Sequence, residues 1–151
     1  MQNASQHHDL GRPVARFSGV HCSLDIYDPH EGIVVIVLKG TDTGEMGDAP
    51  FRELAPLLER GAPVEIFVDA REVPSASIDV SGVWAQWMRE NRERIYRLNM
   101  LCRSRFIELT AKFVQRFTEF GARMRIYTDA VAFDEALRTG CGLQRPAEDV
   151  E

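Results

Sequence analysis

The sequence predicts one α/β domain whose sheet is mostly parallel or mixed, with about five strands and about four helices in the order β-β-α-β-α-β-α-β-α. Three observations predict this class. Residues 33–38 form a continuous, largely β-branched run, short apolar strands alternate with segments of helical spacing, and a chain of 151 residues suits one core. Because strands joined by helical crossovers pair in parallel, we expect helices to cover the sheet.

The chain is predicted to begin with two strands joined by a turn. Apolar residues alternate with polar ones in the first strand, at Val20, Cys22, Leu24 and Ile26. Residues 28–32 are typical turn residues, and the run 33–38 predicts a strand buried on both faces. A first strand at 20–27 would have an unpaired outer edge, and two copies of the chain can form a homodimer through such an edge.

The first helix is predicted to follow the loop 40–47. Asp48 is its expected N-cap and Pro50 lies in its first turn, whereas Pro56 predicts a kink or a short helix that ends at Gly61. Residues 64–68 read as a central strand that ends at Asp69.

A second helix is predicted from about Asp79 to Arg94. Its apolar positions recur at helical spacing, at Val80, Val83, Trp84, Trp87, Met88 and Ile95. We expect at least one of Trp84 and Trp87 to lie in the core, while the other is free to border a groove or a partner surface.

The remaining chain predicts a strand at 98–102, a third helix, a strand at 123–128 and a last helix. Ser104 and Asp129 are the expected N-caps of the two helices, and Gly140 ends the last one. The third helix carries one apolar stripe that we expect to be buried, at Phe106, Leu109, Phe113 and Phe117. We expect flexible tails at 1–15 and 142–151 around a domain at 16–141.

The composition favours a soluble, cytoplasmic globular protein. Hydrophobic residues make up 44% and charged residues 27%, as in ordinary globular domains. The longest apolar run, 33–38, is far shorter than the roughly 20 residues of a membrane helix, so no integral membrane segment is expected.

The sequence offers no recognisable catalytic or metal-binding pattern. The three cysteines, Cys22, Cys102 and Cys141, are widely spaced and predict neither disulfides nor a zinc site. Motifs for dinucleotides, P-loop phosphates and zinc hydrolysis are lacking, and the crowded acids of the loop 42–48 lack the order of a calcium loop. We therefore predict no cofactor, metal or catalytic residue. One enzymatic hypothesis remains, in which Arg103 and Arg105 lower the pKa of the Cys102 thiol and make it a nucleophile.

Charge is distributed unevenly along the chain. Residues 89–125 carry ten Lys and Arg against four Asp and Glu, whereas residues 1–88 carry six against thirteen. Candidate ligand-binding residues in this basic segment are Arg89, Arg92, Arg103 and Arg105. A sequence pI of about 5.4 argues against nucleic acid. An acidic protein, an anionic small molecule or a lipid headgroup fits better.

Several segments resemble the STAS domain family, especially its branch of sporulation anti-sigma-factor antagonists. The similar segments are 64–73, the Trp84 helix, and 125–137. The resemblance implies a STAS-like fold over about residues 18–140. In that family the helix after the third strand begins with Asp-Ser-Ser-Gly, whose first serine is phosphorylated. Here the equivalent is Asp79-Val80-Ser81-Gly82, so the phosphorylated serine is replaced by valine.

These inferences lead to two functional hypotheses. The first is a non-catalytic regulatory module that binds a protein partner, or itself, through the loop 70–79, the start of the Trp84 helix and the first helix. Its candidate residues are Asp79, Ser81, Gly82 and Trp84. The second is a carrier or sensor of a small apolar or anionic ligand, such as a lipid, bound between the helices of the basic segment.

Overall fold

A computed structural model describes residues 10–142 of the chain. The strands are β1 (Ala15–Ser18), β2 (Cys22–His30), β3 (Ile33–Gly40), β4 (Val64–Glu72), β5 (Ile95–Cys102) and β6 (Met124–Tyr127). The α-helices are α1 (Ala49–Leu58), α2 (Ile78–Glu90), α3 (Arg105–Thr118) and α4 (Ala130–Gly140). Two single-turn 3₁₀ helices, Arg92–Arg94 and Gly121–Arg123, precede β5 and β6.

The six strands form one mixed sheet in sequence order, β1-β2-β3-β4-β5-β6. The first three strands pair antiparallel, and β3 to β6 pair in parallel. The predicted α/β class and the alternation of parallel strands with helices are confirmed. Residues 10–142 form one strand more than predicted, namely β1, for which no strand was expected.

Strand β1 changes the edge of the sheet. It pairs with β2 from Ala15 opposite Ile26 to Ser18 opposite Ser23, so β2 is an inner strand. Val20, predicted to begin that strand, lies in the connecting turn with 88% of its surface exposed. The expectation that residues 20–27 form an unpaired edge is therefore wrong, because four residues before the turn already occupy that edge.

Three helices cover one face of the sheet and α4 covers the other. The crossovers through α1, α2 and α3 each move to the next parallel strand in the same direction, so their shared handedness places them on one face. They bury Leu54, Ala85 and Ile107 against the strands. On the opposite face, Phe133 of α4 packs in a second cluster around Phe67.

Three of the four residues in the apolar stripe predicted to anchor α3 face water instead, and only Phe117 packs partly against the core. Ile107, Ala111, Val114 and Thr118 are the buried residues of α3, whereas Phe106, Leu109 and Phe113 are 71%, 57% and 48% exposed. The helix carries two apolar stripes. The stripe with Ala111 at its centre packs on the sheet, since the small alanine side chain lets the helix approach closely.

Helix α2 is shorter than predicted. It ends at Glu90 with Asn91 as its C-cap, and Ile95, which fitted the helical spacing, is the first residue of β5. The Asn91 side chain donates a hydrogen bond to the Trp87 carbonyl, at 2.9 Å, and satisfies a carbonyl at the helix end. The arginines predicted for the last helical turn therefore lie in a 3₁₀ turn.

The predicted tails fall largely outside the described residues. The described part of the first tail includes Leu10, which is buried beside Tyr27 and Phe133, and Ala15, which begins β1. The domain boundaries at 16 and 141 stay predictions. Among residues 10–142, no helix has both the length and the apolar character needed to cross a bilayer.

Replacing the α3 N-cap, Ser104→Ala, is expected to cost about 1–2 kcal/mol of unfolding free energy. The Ser104 hydroxyl accepts hydrogen bonds from the backbone N–H of Phe106 and Ile107, at 3.1 and 3.4 Å, and donates one to the Pro74 carbonyl, at 2.7 Å. Urea unfolding measures the loss. Ser104→Asp keeps the cap acceptor and should recover part of it; equal stability of all three proteins would contradict the cap.

Candidate functional site

The candidate site lies at the carboxyl ends of the parallel strands. After β4, residues 73–77 lead into α2, and the Ser77 hydroxyl accepts a hydrogen bond from the Val80 N–H, at 3.3 Å. Ser77 is therefore the N-cap, and Asp79 lies in the first turn, where a carboxylate is stabilised by the helix dipole. The predicted interaction residues thus belong to one short stretch of α2.

The segment Asp79-Val80-Ser81-Gly82 divides into two outward and two inward residues. Asp79 and Gly82 are exposed, and a Cβ added to Gly82 would meet open space. Val80 and Ser81 are half-buried and line a cavity beneath the helix. The four candidate residues are neighbours in space but face two different environments. Asp79 and Gly82 face solvent, whereas Ser81 and Trp84 line the cavity.

Trp84 and Trp87 hold α1 against α2. Both are half-buried, and both contact Phe51 of α1, with ring centroids 4.6 Å apart for Trp84 and 5.3 Å apart for Trp87. The two indoles lie 6.2 Å apart in an edge-to-face arrangement. Such aromatic contacts add to the apolar burial. Each tryptophan therefore contributes to packing, and Trp84 also lines the cavity.

A cavity of about 110 Å³ lies between the sheet and helices α2 and α3. Most of its wall is apolar, including Leu24, Ile36 and Trp84, with hydroxyl groups from Ser75, Ser81 and Thr110. It is smaller than the roughly 300–1,000 Å³ typical of ligand pockets. A small apolar molecule fits such a space, whereas a lipid chain would require α2 and α3 to separate.

His21, Cys22 and Glu45 form a polar cluster beside this cavity. The His21 Nδ1 lies 3.0 Å from one Glu45 oxygen, and the Cys22 Sγ donates to the other, at 3.4 Å. Burial of Cys22, together with the Glu45 carboxylate, raises the pKa of the thiol to about 11. The imidazole bonds the carboxylate rather than the thiol, so this cluster lacks a nucleophile activated by a base.

Each of the three acidic residues in the loop 42–48 bonds a group of the protein itself. Asp42 accepts a hydrogen bond from the Gly44 N–H, at 2.8 Å, Glu45 bonds His21, and Asp48 pairs with Arg52. Within residues 10–142, no group of three His, Cys, Asp or Glu side chains is placed to hold a metal ion.

Burial also makes Cys102 a poor nucleophile. It is 1% exposed, and burial raises the pKa of its thiol to about 12. Arg103 and Arg105, the proposed activating cations, are exposed to solvent at the start of α3. The geometry thus gives no support to a thiolate at this position.

Iodoacetamide at pH 7 is expected to alkylate Cys22 about a hundredfold more slowly than an unstructured thiol. The shift in pKa from 9.0 to about 11 lowers the thiolate fraction by that factor. The rate should rise about tenfold per pH unit as the thiolate forms. Peptide mapping of a time course measures it, with the urea-unfolded protein as the control. Rapid labelling of folded Cys22 would contradict the buried, hydrogen-bonded thiol.

The four candidate ligand-binding arginines do not converge on one pocket. The Arg89 guanidinium lies 5.0 Å from the centre of the Phe117 ring, and Arg92 donates to the Thr118 carbonyl, at 3.2 Å. Arg103 and Arg105 are exposed. None of the four is among the described residues that line the cavity.

Two features of this region were missed from the sequence. Ile78 and Val83 of α2 are 88% and 53% exposed, which adds large aliphatic groups to the outer surface beside Asp79 and Gly82. The helical spacing of the apolar residues predicted that Val80, Val83 and Trp84 share one buried face of α2. Nothing in that spacing indicated that Val83 is exposed. Ile78 directly precedes the predicted helix start, which was placed one residue late.

The mixed sheet, the three helices on one face and the segment at the start of α2 define a STAS-like fold. No family model and no curated protein matches the sequence. Two solved structures resemble the chain at low sequence identity, which bears on the fold alone.

An uncharacterized DUF3478-family protein with a SpoIIAA-like fold, from Shewanella loihica PV-4, is 12% identical, with a TM-score of 0.53 over 76% of this chain and 93% of its own. An anti-sigma factor antagonist from Mycobacterium paratuberculosis is 14% identical, with a TM-score of 0.52 over 81% and 99%. These similarities confirm the predicted STAS-like, or SpoIIAA-like, fold.

Proposed function

We propose that this protein is a non-catalytic regulatory module that binds a protein partner through the outer surface of the first two turns of α2. We define this surface, the α2 face, as Ile78, Asp79, Gly82 and Val83. The observation that carries the proposal is the exposure of two large aliphatic side chains, 88% for Ile78 and 53% for Val83, around a glycine with open space above it. Such a surface lets a partner approach the helix backbone closely.

The position of the α2 face and one structural neighbour support this proposal. Ligands of open α/β sheets bind outside the carboxyl ends of the parallel strands, where α2 begins. One neighbour is an anti-sigma factor antagonist, and we extend this kind of activity to the present chain. Val80 replaces the phosphorylated serine of the family motif and lines the cavity, so we propose that binding is not switched by phosphorylation at this position.

In this proposal the four predicted interaction residues have separate roles. Asp79 and Gly82 contact the partner directly, because they are exposed on the α2 face. Ser81 and Trp84 support α2 from below, where both line the cavity. The proposal also implies a cytoplasmic location and a protein rather than a nucleic acid as the partner.

Gly82→Arg is expected to block the partner while raising stability by about 0.5–1 kcal/mol. Arginine favours a helix interior more than glycine does, and the added side chain enters open space. The same side chain would stand between the α2 face and a partner. Urea unfolding measures the stability, and quantitative mass spectrometry of proteins retained by immobilised wild type and variant measures the binding.

Ala132→Arg provides the matched control, because Ala132 is exposed on α4, on the opposite side of the sheet. We expect the control to retain the same partner as the wild type. Native mass spectrometry identifies the case in which the partner is a second copy of this chain. Equal retention by wild type and Gly82→Arg would contradict the α2 face as the binding surface.

We propose sensing of a small apolar molecule as a second function, because of the cavity of about 110 Å³ beneath α2. Apolar cavities of roughly 150 Å³ bind benzene in other proteins. Benzene-saturated buffer should therefore raise the melting temperature, and Ser81→Val, which fills part of the space, should reduce that rise. An unchanged melting temperature of the wild type would rule out a site accessible to such molecules.

A further inference from the structure

Helix α3 presents a line of large apolar side chains to solvent. We define the α3 stripe as Phe106, Leu109, Phe113 and Phe117. The first three are 71%, 57% and 48% exposed, and Phe117 is half-buried with its ring stacked on Phe113, centroids 5.7 Å apart. At 1.5 Å per residue, the stripe extends roughly 16 Å along the helix.

Three of the four stripe residues, Phe106, Leu109 and Phe113, contribute little to the core, whereas Phe117 packs partly against it. A separate side of α3, with Ile107, Ala111 and Val114, provides the buried contacts with the sheet. Three bulky side chains on the outer side of the same helix remain about half exposed or more. A contiguous apolar strip of this kind marks an interaction surface rather than a core.

Cations lie on both sides of the stripe. At 100° per residue, Arg105, Lys112 and Arg116 follow one side of it, and on the other side Arg89 of α2 stacks over the Phe117 ring at 5.0 Å. Lys112 pairs with Glu108, at 3.6 Å. Within residues 10–142, no carboxylate forms an ion pair with the other three cations.

We propose that the α3 stripe docks on an anionic lipid surface. An apolar helix face flanked by Lys and Arg suits the boundary between lipid headgroups and acyl chains. Phenylalanine and leucine side chains need no hydrogen-bond partner there, and the unpaired arginines match anionic headgroups. A symmetric contact with a second copy fits less well, because it would bring the same arginines of both copies together.

Vesicle flotation of the 151-residue chain tests this proposal. We expect the protein to float with vesicles of equal parts phosphatidylcholine and phosphatidylglycerol, and to bind pure phosphatidylcholine at least about tenfold more weakly. Raising the ionic strength should weaken binding to the mixed vesicles, because the contacts with headgroups are exposed. A wild-type protein that stays in the soluble fraction with both kinds of vesicle would overturn the proposal.

Variants at exposed positions separate the apolar from the charged contribution. Phe106→Ser with Phe113→Ser should weaken binding to the mixed vesicles about tenfold or more, and so should Arg105→Glu with Arg116→Glu. Val131→Ser, at a residue 76% exposed on α4, is the control and should bind like the wild type. Circular dichroism confirms that each variant is folded.

Two further outcomes would count against the lipid surface. If the aromatic and charge variants bind vesicles as well as the control does, the α3 stripe is not the docking site. If the wild type does not bind vesicles but binds an acidic protein that the same variants fail to bind, the α3 stripe docks on a protein. The lipid proposal then fails. Neither outcome bears on the α2 face, because Gly82→Arg tests that surface separately.

Discussion

Replacing Phe133 with alanine is expected to lower the unfolding free energy by about 4 kcal/mol. Phe133 is 1% exposed, and its ring meets Phe67 and Tyr127 edge to face, with centroids 5.7 and 5.6 Å apart. The substitution removes the large buried side chain of α4 and leaves a cavity against the sheet. Urea unfolding followed by circular dichroism measures the change.

Phe106→Ala provides a matched control for this prediction, because it makes the same substitution at a phenylalanine that is 71% exposed. This control is expected to lower the unfolding free energy by no more than about 0.5–1 kcal/mol, close to the effect of an ordinary surface substitution. If the two variants lost similar stability, α4 would not be held to the sheet by Phe133.

Arg71→Ala is expected to cost about 3 kcal/mol, because it breaks a buried ion pair. The Arg71 Nε donates to both oxygens of Asp69, at 3.0 and 3.1 Å, and Nη2 donates to Asp134 of α4, at 2.7 Å. The side chains of Arg71 and Asp69 are only 8% and 2% exposed. Without the guanidinium, the Asp69 carboxylate stays buried and loses its ion pair with Arg71.

A surface ion pair separates burial from charge in this experiment. Arg52 pairs with Asp48 on α1, where both side chains are mostly exposed, so Arg52→Ala should cost less than about 1 kcal/mol. Urea unfolding of both variants gives the comparison. A loss for Arg71→Ala no larger than that for Arg52→Ala would show that the Asp69 and Asp134 contacts add little to the fold.

Local signals predicted much of the fold. The β-branched run at 33–38 lies within β3, and the caps Ser104 and Asp129 occur where the sequence placed them. These signals succeed because they depend on a few adjacent residues. Strand β1 was missed because it has only four residues, and its pairing with β2 across a turn, rather than its own pattern, defines it.

The candidate site was less accessible from the sequence. The motif at 79–82 could be located, but helical spacing alone does not say which of two apolar stripes packs inward, as α3 shows with Phe106 exposed and Ile107 buried. The cavity collects residues from β2 to α3, and Arg71 meets Asp134 across 63 positions. Contacts of this range depend on tertiary packing, which a single sequence does not display.

The uneven covering of the sheet has a consequence for synthesis on the ribosome. Helices α1 to α3 alternate with strands β3 to β6 along the chain, so the face they cover can close as the chain emerges. The other face, with Val35 and Phe67, has to wait for α4, which follows the last strand. A nascent chain paused before residue 130 therefore displays an open apolar sheet, the kind of surface that chaperones bind and that aggregates when left unprotected.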